Sequence, residues 1–325
     1  MKAIFRYFAW SIATLAMLLG FAYFYFAYAP IPAAPPLSGK LSQYSIAFGG
    51  LQRSYEVYVP ASLKPGSPLV VVMHGSGGSG TQMRSASGYE FDRLADQHGF
   101  VVFYPDAFEG VWNACNKVGD FESNKRNIDD TGFINAVIEK LISTYALASK
   151  RVFATGHSRG GAMALRLALE DSDHVRAVAA ISANFPVDSN SKCLTAGRGV
   201  SVMIMNGTAD PLNPFDGGLM ALFGTFMSRG DVRSSSASAN FFADLNGITS
   251  PPETSTTAVA DGLSVERSKW SGGDGTEVEL VAIHGGGHVI PQPYYRYPRF
   301  LGPTPEEPNG PDVIWKFFEN QKSGP

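Results

Sequence analysis

Residues 151–169 read RVFATGHSRGGAMALRLAL. Arg151–Thr155 is a short apolar, β-branched run that suits a buried strand. The stretch closes with apolar residues at helical spacing. Between the two lies Gly156-His157-Ser158-Arg159-Gly160, a G-x-S-x-G match. A strand, this pentapeptide and a helix in that order make a nucleophile elbow. So sharp a turn would drive side chains into the crossing backbone, which Gly156, Gly160 and Gly161 relieve. Ser158 Oγ is expected to stand out over the sheet edge. The N–H of Arg159 opens the helix, where donors face developing negative charge. The competing reading is a glycine-rich βα turn of some other α/β protein, and the elements on both sides weigh against it.

The chain has 325 residues, 44% hydrophobic and 17% charged. That fits one domain of about 280 residues behind an N-terminal extension. A net charge of −3 gives no reason to expect nucleic acid as a partner. Neither of the two cysteines, Cys115 and Cys193, has a partner at metal-ligand spacing. No metal and no cofactor are expected. In an exported chain the pair forms a disulfide; two unpaired buried thiols are the alternative.

Residues 1–29 carry Lys2 and Arg6 and then a very apolar run. This is the pattern of an export signal, with a core approaching membrane-spanning length. Ala27-Tyr28-Ala29 resembles a cleavage site, but Pro30 follows it. An uncleaved anchor with its basic end inside is therefore favoured, leaving 7–29 as the only membrane contact. Residues 30–40, with PIPAAPP at 30–36, form a stiff spacer, and 41–325 the folded domain.

Strands are expected over 42–48 and 53–59, joined at Gly49-Gly50 as an edge hairpin. Pro68–Met73 reads as a buried parallel strand. It runs into His74-Gly75-Ser76-Gly77-Gly78-Ser79-Gly80, where small residues let backbone N–H groups reach a carbonyl oxygen. Ser76 or Gly77 is the expected donor, and His74 a residue that orients the loop. A phosphate loop is the alternative, but no Walker lysine follows. A helix over 90–98 with Gly99 as its cap and a strand over 100–104 come next. The aperiodic segment 107–127 is expected to wall the pocket. Trp112 and Asn113 are its candidate substrate contacts, with Trp270 as a further aromatic wall. Asp129 and Asp130 read as caps of a helix over 132–145 rather than as catalytic acids.

Past the elbow, strands are expected at 175–181 and 200–205, with the loop 182–199 between them. The second strand ends at Asn206-Gly207-Thr208-Ala209-Asp210-Pro211. Asp210 is placed to accept a hydrogen bond from an imidazole, with a plain Asx-turn as the alternative. The first half of 213–247 could form a lid, and a short helix is expected over 239–245, after the serine-rich stretch 234–238. The last strand, 277–283, leads into His284-Gly285-Gly286-Gly287-His288. His288 is the expected base and His284 a support for the loop. A closing helix is expected over 311–320.

The order Ser158, Asp210, His288, each after a strand, is that of an α/β-hydrolase fold: a mostly parallel central sheet with helices on both faces. In that fold His288 deprotonates Ser158, Asp210 steadies the imidazolium, and N–H groups at Ser76 and Arg159 hold the oxyanion.

These residues resemble the polyhydroxybutyrate depolymerase / feruloyl esterase family, including its LpqC-like members. The resemblance runs over about 43–315. It is carried by VVVMHGSGGSG at 70–80, NIDDTGF at 127–133, RVFATGHSRGGAMA at 151–164, NGTADPLNP at 206–214, NFFADLNG at 240–247 and HGGGHVIP at 284–291. It implies Ser158 as nucleophile, Asp210 and His288 as its partners, and the loop from His74 as oxyanion support. Departures are Ser76, Ile248 where relatives often carry cysteine, His157 and Arg159 beside the serine, and Val289-Ile290 after the histidine.

The reading is thus an exported, monomeric serine esterase. Its substrates would be hydroxyalkanoate oligoesters or feruloyl and other aryl esters, small or oligomeric rather than insoluble polymer. A peptidase of the same fold, or a catalytically silent, surface-anchored binding module, are the competing readings.

Overall fold

Apolar runs without polar alternation require burial on both faces, and they form the middle of one ten-stranded sheet. The computed structural model describes residues 2–195, 199–222, 228–259 and 262–321. Its strands are β1 (Lys40–Phe48), β2 (Leu51–Val59), β3 (Leu69–Met73), β4 (Val101–Pro105), β5 (Val152–His157), β6 (Ala177–Ile181), β7 (Ser201–Gly207), β8 (Gly218–Leu219), β9 (Asp231–Val232), β10 (Glu253–Ala258), β11 (Ser264–Ser271) and β12 (Glu277–His284). The order across the sheet is β1-β2-β4-β3-β5-β6-β7-β12-β11-β10, with β8 and β9 as a separate ribbon. The six strands from β4 to β12 in that order are mutually parallel. The hairpin β1–β2 and the strands β11 and β10 extend it antiparallel.

The helices are α1 (Lys2–Ala22), α2 (Gly80–Ala86), α3 (Glu90–His98), α4 (Glu122–Lys125), α5 (Asp130–Tyr145), α6 (Arg159–Glu170), α7 (Ser235–Leu245) and α8 (Gly310–Asn320). Successive strand residues point to opposite faces. Leu69, Val71 and Met73 therefore join the core beneath α5, α6 and α7, while Val70 and Val72 join the one beneath α2, α3 and α8. Each such side chain, fully withdrawn from water, contributes about 1.5–3 kcal/mol. From β3 the chain moves to β4 on one side and then to β5 on the other. Winding reverses between β3 and β5, and a crevice at such a reversal is where open α/β sheets bind ligands.

Most element limits agree with the sequence expectations to within one or two residues. The serine run differs: α7 starts at Ser235, inside it. Ser234 Oγ caps the helix by accepting from Ala237 N–H at 3.0 Å. Ser235 and Ser238 are buried because Asn184 and the Phe185 N–H take their hydroxyls. The short helices α2 and α4, the ribbon β8–β9 and the strands β10 and β11 have no counterpart in the sequence reading. Asp129 Oδ1 accepts from Gly132 N–H at 2.8 Å, the expected cap of α5. Asp130 is buried against Arg53 Nη2 at 2.7 Å.

At the N-terminus, Trp10–Ala27 has a mean hydropathy of 1.6 and is unburied, long and apolar enough to cross a membrane. Tyr25 meets the Arg299 guanidinium at 4.3 Å from the ring centre.

Candidate active site

The elbow is built as its glycines dictate. A Cβ on Gly160 would collide with the carbonyl oxygens of Met73 and His74, and one on Gly156 with the backbone of Gly160. Ser158 sits at φ 55°, ψ −118°, a left-handed strain that costs about 1–3 kcal/mol and gathers at functional positions. Its N–H donates to Ile181 O at 2.8 Å, tying the turn to the end of β6.

The loop after β3 lies beside it. His74 Nε2 accepts from Ala107 N–H at 3.0 Å, so the proton is on Nδ1, which donates to Gly75 O at 2.7 Å. Burial pulls this imidazole below its ordinary pKa, against the pull of the Gly75 carbonyl. His74 is thus a neutral bracket for the loop. Gly77 does not serve as an oxyanion donor: its N–H is spent on Gly110 O at 2.8 Å. Among the described residues the N–H groups of Ser76 and Arg159 have no acceptor.

His288 hangs from the loop after β12. Its backbone N–H donates to Leu301 O at 2.7 Å, and Gly287 N–H to Pro303 O at 2.9 Å. The ring Nδ1 donates to Asp210 Oδ2 at 2.7 Å, which leaves Nε2 as the basic atom. The other oxygen of Asp210 accepts from Leu212 and Asn213 N–H, both at 2.8 Å. The Asx-type turn and the imidazole partner, alternatives in the sequence, are both present on one carboxylate. His284 lies at the sheet margin instead, 3.8 Å from Glu266.

Ser76, Ser158 and His288 line one cavity of about 290 Å³, with Asp210 behind the histidine. Its remaining wall is mainly apolar, with Leu212, Met220, Ala221, Leu222 and Phe300. Part of the expected lid segment is therefore in place, while 223–227 lie outside the described residues. Arg229 also lines the cavity, and no sequence motif marks it.

The three expected substrate contacts are elsewhere. Trp112 is fully buried under the loop; its indole N–H donates to His74 O at 2.9 Å. Asn113 is buried and binds Asp130 and the Ile128 carbonyl. Trp270, on β11, is packed in the core beneath α7. An indole buries more area than any other side chain, so the interior claimed both tryptophans.

His157 and Arg159, flanking the serine, are both buried, and His157 is also part of the cavity lining. The His157 ring packs 4.9 Å from that of His288 and 5.6 Å from that of Tyr297. Burial, and then the neighbouring His288, hold it well below the ordinary imidazole range. The Arg159 guanidinium donates to Trp112 O at 2.8 Å, Asn116 Oδ1 at 3.0 Å and Asn124 Oδ1 at 2.9 Å. Burial, with Arg229 adding repulsion, lowers it to about 9. Cys115 and Cys193 form a disulfide, so of the two possibilities left open the paired one holds. It joins the segment 107–127 to the loop after β6.

Among the described residues no three His, Cys, Asp or Glu side chains cluster as a metal site. The model of the family described as Esterase PHB depolymerase matches residues 53–244. The esterase-named protein NocK of Nocardia uniformis subsp. tsuyamanensis is 28% identical over 303 residues, 90% of this chain and 86% of its own. Feruloyl esterase B of Piromyces equi is 28% identical over 231 residues, which cover 69% of this chain but 40% of that longer protein. Among solved structures, the acetyl xylan esterase of Aspergillus awamori superposes with a TM-score of 0.58 at 19% identity, covering 87% of this chain and all of its own; it shares the α/β-hydrolase fold. With 53–244 matched, more than half its length, the chain belongs to the esterase PHB depolymerase family of carboxylic ester hydrolases.

Proposed function

We propose that the protein is an exported serine esterase for short carboxylic esters, hydroxyalkanoate oligoesters or aryl esters of the feruloyl kind, working through Ser158, His288 and Asp210. One observation carries the reading: His288, with Nδ1 held by Asp210 at 2.7 Å, lines the same cavity as the strained Ser158. In the reaction Ser158 Oγ attacks the ester carbonyl while its proton passes to His288 Nε2. Charge gathers on the carbonyl oxygen, within reach of the Ser76 and Arg159 amides. The tetrahedral species expels the alcohol, which takes the proton from His288. Water then gives a proton to the same nitrogen, its oxygen attacks the acyl-serine, and the acid leaves as Ser158 regains its hydrogen. Export is supported by the apolar N-terminal helix and by the disulfide, which persists in oxidising compartments.

The test compares Ser158→Ala with the parent on p-nitrophenyl butyrate and on a peptide p-nitroanilide. The expected result is ester turnover that falls by about 10⁴-fold or more in the variant. Undiminished turnover in Ser158→Ala would reject the nucleophile. A parent that cleaves only the anilide would turn the reading to a peptidase.

A further inference from the structure

Among the described residues one cation, Arg229, borders the cavity that holds Ser158 and His288. Arg229 is 8% exposed, and both sides of its backbone are fixed. Its N–H donates to Met220 O at 2.9 Å, and its carbonyl accepts from Asn190 Nδ2 at 2.9 Å and Asn116 Nδ2 at 3.3 Å. In the guanidinium, Nη2 donates to Ser76 Oγ at 3.0 Å, while Nε is buried without a partner. Among the described residues no carboxylate is within ion-pair distance of it. A like charge shares its aromatic neighbour: Arg159 and Arg229 lie 5.5 and 5.3 Å from the ring centre of Phe121.

A buried charge is normally paired, and an orphan donor in a native interior calls for an explanation. Here like charges share one aromatic ring and are held by neutral acceptors, so the site lacks an anion. A guanidinium is suited to carboxylate, which it grips by two parallel hydrogen bonds. The apolar wall from Leu212 to Phe300 suits the short hydrocarbon chain between that carboxylate and the scissile bond.

We propose that Arg229 is a specificity residue that binds a free carboxylate of the substrate, so that the preferred esters carry a second, anionic carboxylate a few bonds from the reacting carbonyl. The proposal rests on the reading of Ser158 as nucleophile. The carboxylate belongs either to the acyl part, as in a dicarboxylic hemiester, or to the alcohol part, as at the free end of a hydroxyacid dimer.

Two matched pairs separate these sources: p-nitrophenyl hemiglutarate against p-nitrophenyl butyrate, and 3-(butyryloxy)butyrate against its methyl ester. The readout is the ratio of kcat/KM, anionic over neutral, in the parent, Arg229→Gln and Arg229→Lys. In one pair the parent is expected to favour the anion by about ten-fold or more, chiefly through KM. Arg229→Gln abolishes that ratio and Arg229→Lys keeps part of it. A parent ratio of one or less in both pairs overturns the proposal. So does an Arg229→Gln protein in which both members fall alike, the result expected if the side chain only steadies Ser76. Turnover of neutral esters that requires Ser158 would then leave the esterase reading intact, whereas a parent that cleaves none of the four esters overturns both.

Discussion

The two sides of the cavity are built by different means. On the serine side, 74–79 and 156–161 follow directly from buried strands, and their positions are set by glycine contacts and bonds to adjacent strand ends. Around Arg229, segments near 115, 190 and 229 come from distant parts of the chain. They are held by the Cys115–Cys193 bond, by Asn190 and Asn116 reaching the Arg229 carbonyl, and by an isolated bridge between Asn116 and Ser191. Reactivity is thus prepared by local backbone geometry and shape by long-range fastening. Damage to the first should cost rate, and damage to the second stability.

The strongest test of that division is Asp210→Asn. An amide can still accept from Leu212 and Asn213 N–H, but it presents N–H to the imidazole and reverses the tautomer. The kcat for p-nitrophenyl butyrate is expected to fall by about 10⁴-fold while the melting temperature barely moves. A large fall in melting temperature would blur the contrast. Cys115→Ser is the converse case. Removing this cross-link across 78 positions is expected to cost about 2–4 kcal/mol in urea unfolding, with kcat on the same ester retained. A rate that collapses with stability would break the comparison. Trp112→Phe lies between the two, since it leaves the His74 carbonyl buried without its donor. A loss of about 1–3 kcal/mol is expected, with a KM effect smaller than that of a wall residue.

The smallest effect is on pH dependence. His74 and His157 have native pKa values below those of the unfolded chain, chiefly through burial. As pH falls, the unfolded chain therefore binds protons first. Their contribution is complete above about pH 6.5 and is lost below it. Melting temperature should drop between about pH 7 and pH 5, and His157→Asn should flatten that slope. An unchanged slope would show that another group dominates.

What could be read from the sequence follows the same line. The elbow, the glycine loop after β3 and the loops ending in Asp210 and His288 are contiguous patterns beside apolar strands, so their positions at one sheet edge could be derived. Trp112 and Trp270 read as pocket walls but belong to the core, because an aromatic in a loop or in a strand with no apolar pattern carries no sign of which way it faces. Of the two expected donors, Ser76 and Gly77, the sequence offers no way to set Gly77 aside, because its acceptor, Gly110, lies 33 positions along the chain. Arg229 had no local signature at all: its partner Ser76 is 153 positions away. The cysteine pairing depended on compartment and fold, and neither is written in the spacing.

Arg159 belongs to both sides at once. Its amide opens α6 next to Ser158, and its side chain runs back to Trp112, Asn116 and Asn124 in the segment that the disulfide fastens. A mutation that shifts this segment, and with it the Asn116 contact to the Arg229 carbonyl, therefore pulls on the reaction centre as well. Along any lineage of such variants, substrate choice and turnover would be inherited as linked traits. Separating them would first require a replacement at position 159 that lets go of that segment.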